Sequence, residues 1–184
     1  MEKEGQQYNQ SEFHKSEELE DYSEVDSGIQ ELSQGLDKLP FVSTISGICC
    51  EGHLRNNLGP NSLSDERPEN GYSFLFGGQL FFYIDKTDPK TSILIEKINQ
   101  LIEKYPFASI HEHHCNEEKC LIEGSQCIEL DHSDLTLADT ITDDDSLETM
   151  HKKRFQVPTK IGQERVDAYH QFWSELNKIV KESL

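Results

Sequence analysis

Apolar residues recur at helical spacing in three places along the chain. Val25, Ile29, Leu32, Leu36 and Leu39 form one stripe, and Ile95, Ile98, Leu101, Ile102 and Tyr105 a second. Val166, Tyr169, Trp173, Leu176 and Val180 form a third, with steps of three and four that give one apolar face. Each stripe predicts an amphipathic helix. Asp88 followed by Pro89 supplies a cap and a first helical position for the second helix. Pro40 and Pro106 end the first two, because proline disfavours the helical conformation in the residue before it. Gly28 and Gly35 weaken the first helix by about 1 kcal/mol each relative to alanine.

Denser apolar runs predict strands. "LPFVSTIS" follows the first helix, and "PFASIHEHH" follows the second. "YSFLFGGQLFFYID" reads as a hairpin turning at Gly77-Gly78, in preference to one long strand with a glycine bulge. "CLIEGSQCIEL" returns as a strand after the four-residue turn "NEEK", and residues 54–71 read as a polar loop.

The first two helix–strand segments also resemble each other. "IQELSQGLDKLPFVSTISGICCE" (29–51) aligns without a gap on "IEKINQLIEKYPFASIHEHHCNE" (95–117), with 8 identities in 23 positions. Matches among amphipathic helices carry little weight, whereas the shared Pro-Phe-x-Ser beyond the helix end carries more. The expected fold is therefore α+β. It has two layers, a mainly antiparallel sheet with helices on one face, built from a duplicated helix–strand–strand unit plus a C-terminal helix. The repeat units span about 25–85 and 91–130 within a core of 23–130. Residues 1–22 form an acidic N-terminal segment, 131–160 an acidic loop, and 161–184 the C-terminal helix.

Charge sharpens this division. The 184-residue chain has a formal net charge of −18. Residues 1–37 hold 11 acids and 2 bases, and residues 129–148 hold 8 acids and no base. The rest is nearly neutral. The acidic flanks disfavour transfer RNA as a partner, although the repulsion is local. The cluster "HKKRF" (151–155) is read as neutralising the adjacent acidic run rather than binding an anion. No run of 18 apolar residues predicts a membrane span. The start, "MEKEGQQYNQ", lacks a basic-then-apolar secretory pattern. Five cysteines in a chain of this size are read as reduced thiols, which points to a cytoplasmic location.

Two stretches carry candidate chemistry. The first is Cys49-Cys50-Glu51-Gly52-His53, with Ser46 just before it. Glycine permits a tight turn that folds His53 back toward the cysteines, where these residues would curl around a ligand. Cys50 as a nucleophile needs a nearby base or cation, and His53 is close enough in sequence to serve. Strand alternation sends Cys49 and Cys50 to opposite faces, so at most one joins the core. The second stretch is "HEHHCNEEKC", where His111, His113, Cys115 and Cys120 offer imidazole and thiolate ligands for zinc. The plain alternative is a polar hairpin tip. The repeat pairs Cys49 with Cys115 and predicts one cleft between the halves, holding Cys50, His53, His111 and His113 under a lid formed by 54–71.

The run "LPFVSTISGICCEGH" after a helix resembles the N-terminal part of the wybutosine-synthesising transfer-RNA methyltransferase family, which carries a helix, a strand and a Ser-Ser-Cys-Ser-Gly-Arg type motif. Cys49 to His53 fall on that motif, with His53 in place of its arginine. The resemblance implies a small duplicated α+β domain, S-adenosylmethionine as cofactor and a modified guanosine in transfer RNA as substrate. The leading expectation is binding of a small molecule, a nucleotide-like cofactor or a metal in the cleft. The rivals are the methyltransferase and a zinc-stabilised protein-interaction module.

Overall fold

Helix α1 (Ser27–Lys38) is the first α-helix in the computed structural model, which describes residues 22, 25–45, 49–56, 67–114 and 124–184. Its stripe behaves as the spacing predicts, with Val25, Ile29, Leu32, Leu36 and Leu39 all buried. Leu39 is extended, with φ −72° and ψ 126°, as the residue before Pro40 must be. Asp37 then takes hydrogen bonds from the Thr44 backbone N–H (2.6 Å) and hydroxyl (2.5 Å), tying the helix end to β1 (Val42–Thr44).

The second unit is built alike. In α2 (Pro89–Ile102) Asp88 accepts from the Lys90 N–H at 2.8 Å, the expected cap. The helix leads into β5 (Ala108–Glu112). The joints match at the repeat offset: the Val42 N–H bonds to the Leu39 carbonyl and the Ala108 N–H to the Tyr105 carbonyl. The remaining strands are β2 (His53–Arg55), β3 (Tyr72–Phe76), β4 (Gly78–Ile84), β6 (Gln126–Leu130) and β7 (Gln156–Pro158). The last helix is α4 (Thr159–Lys181).

Among the described residues all pairings are antiparallel and fall into two sheets, β1-β4-β6-β5 and β2-β3-β7. The expected hairpin at Gly77-Gly78 is not formed. β3 pairs with β2 and β7 in one sheet, while β4 pairs with β1 and β6 in the other. The chain runs on through Gly77 and changes sheet. The first segment does the same in the reverse sense, since Cys50 still bridges Gln79 of β4 before β2 pairs with β3. Two bent strands therefore share one corner. A Cβ on Gly77 would overlap the Leu130 carbonyl oxygen, so only glycine lets the corner close.

The helices α1, α2 and α4 cover one face of the four-stranded sheet, where Val42, Leu80, Phe82, Ala108, Ile128 and Leu130 join their apolar stripes. α4 occupies the centre, burying Val166, Tyr169, Phe172, Trp173, Leu176 and Val180. Each such side chain contributes roughly 1.5–3 kcal/mol. Gly35 marks close packing of α1 on α4, because a Cβ there would stand 3.1 Å from Val180. Among the described residues no helix is long and apolar enough to cross a membrane.

Residues 131–160 are not the expected loop. They contain two 3-10 turns (Ser133–Leu135 and Ala138–Thr140), α3 (Leu147–Phe155) and β7. The low apolar content hid them, because α3 buries none of its residues fully. α3 lies against β3, where Phe76 stacks on Phe155, so the three-stranded sheet also carries a helix on the face away from α4. The basic cluster on α3 neutralises acids, as expected. Lys153 lies 2.8 Å from Asp145 and Lys152 2.9 Å from Glu148. The acidic segment 1–21 lies outside the described residues.

Gly77→Ala is expected to destabilise the protein by about 1–3 kcal/mol. Urea unfolding followed by Trp173 fluorescence checks this, as a lower midpoint at unchanged slope.

Candidate functional site

The corner between the sheets places the segment from Cys49 to His53 against α1 and α4. Cys49 is buried in the core, donates to the Ile45 carbonyl at 3.1 Å and receives the Phe81 N–H at 3.4 Å. Cys50 is half-buried and points to the Gly77 carbonyl at 3.5 Å. The two thiols thus part as strand alternation requires. Gly52 has φ +85°, and a Cβ there would stand 2.6 Å from the Tyr169 ring, so this turn needs glycine for both backbone and space. His53 begins β2, with its ring beside Phe76 at 5.7 Å.

Glu51 is the residue on which the neighbouring elements converge. Its N–H donates to Asp26 at 3.0 Å, and its carbonyl receives the Trp173 indole N–H at 2.8 Å. Its carboxylate lies against Gly28 in the first turn of α1, where any side chain would collide with it. The same carboxylate is 3.9 Å from His170 Nε2 on α4. A groove of about 460 Å³ opens here between α1 and α4. Glu31 and Glu51 line it, with the Ser27 and Ser174 hydroxyls, His170 and Trp173. Asn177 at its end donates to Glu31 at 3.0 Å.

The electrostatics argue against thiol chemistry. Burial raises the Cys50 pKa above its ordinary value, and the Asp26 carboxylate adds to the rise. Hydrogen bonds to the backbone at Gln79 and Gly52 oppose it without reversing it. Burial lowers the His53 pKa, helped by the positive charge of Arg55. A neutral thiol and a neutral imidazole do not make an activated nucleophile. Cys127 is held still more firmly as a thiol, with burial pushing its pKa up to about 12.

The shared cleft between repeated strand ends does not form. β1 and β5 are the two outer strands of the four-stranded sheet and run in opposite directions. The row through Cys50 passes Gln79 and Glu129 to reach Ser109, so two strands and about 14 Å separate the edges. His111 lies further along β5, exposed, and His113 packs edge-on against Phe81 at 5.8 Å. Equivalent ends of two antiparallel outer strands fall at opposite corners, so the tips of the two similar segments are kept apart. Ser46, Cys115 and Cys120 lie outside the described residues, as does residues 57–66 of the expected lid. Among the described residues no group of three or more His, Cys, Asp or Glu side chains is placed to hold a metal ion.

Sequence reasoning found Glu51 but missed the helical walls of the groove. His170, Ser174 and Asn177 sit at one helical spacing beside Trp173, a signal for a polar stripe, yet nothing in it names α1 as the facing element. Comparison with known proteins adds no further guide: no family model matches the chain, and no curated protein or solved structure matches it.

Cys50 and Cys127 are expected to alkylate with iodoacetamide more slowly at pH 7.5 than a thiol in an unfolded peptide. Cys50 should speed up only in alkaline solution above the range where an ordinary thiol ionises, because its pKa is raised. Peptide mass spectrometry over time resolves the two sites, and rapid labelling of Cys50 at neutral pH would restore the nucleophile reading.

Proposed function

We propose that this protein binds a small ligand carrying a protonated amine or guanidinium in the groove between α1 and α4. The observation that carries the reading is the charge of that groove. Two carboxylates, Glu31 and Glu51, line it, and none of its described lining residues is lysine or arginine. Lys181 reaches Glu31 from beyond the lining at 2.8 Å, so Glu51 is the carboxylate that meets a ligand's cation without a lysine beside it among the described residues. Its size falls within the roughly 300–1,000 Å³ of ligand pockets. The Ser27 and Ser174 hydroxyls add acceptors for the further hydrogens of an ammonium or guanidinium group. The net charge of −18 raises the local concentration of cations before they dock.

The proposal keeps the small-molecule expectation and moves it from strand tips to a helical groove. The methyltransferase reading draws no support from this lining, because carboxylates at the mouth repel a polyphosphate backbone. S-adenosylmethionine nevertheless belongs in any test, since its sulfonium and amino groups are cationic.

A thermal-shift and calorimetric panel of putrescine, spermidine, agmatine, arginine, S-adenosylmethionine, glutamate and ATP tests the proposal. Simple amines or guanidines should bind with micromolar to millimolar affinity, more weakly as salt rises. The double variant Glu31→Gln with Glu51→Gln should lose at least tenfold in affinity while keeping its near-ultraviolet spectrum. Binding of glutamate or ATP alone would overturn the proposal. Binding of S-adenosylmethionine without any simple amine would replace it with the cofactor reading.

A further inference from the structure

On the face of the small sheet away from α4, four aromatic rings form a column. His53 lies 5.7 Å from Phe76, Phe76 lies 5.0 Å from Phe155, and Phe155 lies 5.7 Å from His132. Successive planes are tilted by 31°, 23° and 19°. The column joins β2, β3, α3 and the turn after β6, and an imidazole stands at each end. The groove between α1 and α4 uses none of these rings.

We propose that α3 is an acid-released strap, held over the three-stranded sheet by the stacking of its Phe155 between Phe76 and His132. The helix is poised for such behaviour. None of its residues is fully buried, and Phe155 is its aromatic anchor on Phe76. Segments with few buried apolar contacts open well below the free energy of global unfolding. β7, which follows directly, is held differently: Val157 is fully buried, and the strand pairs with β3. Opening therefore hinges near Gln156 and leaves β7 in place. It uncovers Phe76 and, beside it, the buried Phe74.

The surroundings of the two imidazoles favour the neutral form. Around His53 stand Arg55 on its own strand, Glu51 two residues before it and Asp26 at the start of α1. Its Nε2 is buried and has no hydrogen-bond partner among the described residues. Around His132 stand Asp131 and Asp134 on its own segment, the Arg154 backbone on α3 and Arg165 on α4. Burial is the largest influence on both and lowers both pKa values, outweighing the carboxylates and, at His132, the hydrogen bond to the Arg154 backbone. His132, whose ring stacks directly on Phe155, is the imidazole that opening of α3 releases, and a histidine released to solvent titrates near 6.5. The closed state is thus favoured above that pH and loses its advantage as pH falls toward the lower values of the closed state. Once pH lies below both values, each pKa unit by which His132 is lower in the closed state than in the open one favours opening about tenfold.

Hydrogen exchange of the full chain at pH 7.5 and 5.5, corrected for slower intrinsic exchange in acid, tests the proposal. Amides of residues 147–155 should lose about tenfold or more in protection at pH 5.5, while α4 amides and Trp173 fluorescence stay unchanged. The double variant H53F/H132F keeps four rings without the titration and should hold α3 protected at both pH values. If that variant folds poorly, H132F alone should remove most of the response, because His132 is the imidazole stacked on Phe155. F155A should leave α3 unprotected at both pH values. Unchanged protection of α3 in the native protein at pH 5.5 would overturn the proposal, as would an undiminished acid response in the histidine variants.

Discussion

The indole N–H of Trp173 meets the carbonyl of Glu51 in the interior, and the architecture around the corner depends on that bond. The chain leaves the four-stranded sheet at Cys50 and enters the three-stranded sheet at His53, so Glu51 and Gly52 form a joint with no ladder of their own. A buried carbonyl at such a joint costs roughly 1–3 kcal/mol if unpaired. Trp173 satisfies it from α4, and Asp26 satisfies the N–H of the same residue from the start of α1. Two helices and two sheets are thereby referenced to one peptide. Close packing follows, since Gly52 sits on Tyr169 and Gly78 on Trp173, with no room for a side chain at either.

The joint also explains why the groove exists and why it is acidic. Asp26 stands at the start of α1 but does not cap it, because its carboxylate is engaged by the Glu51 N–H. The Glu51 side chain takes up a place beside Gly28, where negative charge is favoured by the helix dipole. Charge that stabilises the fold locally is therefore left at the mouth of a groove. On the other side of the corner, burial sets the opposite chemistry: thiols stay protonated and imidazoles stay neutral. One five-residue segment thus presents a carboxylate to solvent and hides its sulfur.

Much of the helical framework was legible in the chain. The α1, α2 and α4 stripes were visible from their spacing, the α2 cap from Asp88-Pro89, and the end of α1 from Pro40. Those features depend on neighbours a few residues away. α3 was not legible, because its nine residues make no buried stripe and its anchor is a single ring contact across the fold. The Gly77-Gly78 pair was misread for a related reason. Two adjacent glycines are compatible with a tight turn, and the collision that demands glycine at 77 comes from Leu130, more than fifty residues away in sequence.

For the candidate site, the sequence by itself determined which residues carried chemistry near the strand end, and that Cys49 and Cys50 would face opposite ways, because pleating is a local property. Only the tertiary structure decided what those residues face. Strand order put β1 and β5 on opposite edges, which separated His111 and His113 from Cys50. Helix packing brought His170, Trp173 and Ser174 to Glu51 across 119 to 123 positions of chain. The physical reason is that periodicity specifies a face, whereas a site is a meeting of faces. Which faces meet is set by burying all the apolar stripes at once, a condition on the whole chain rather than on any one segment.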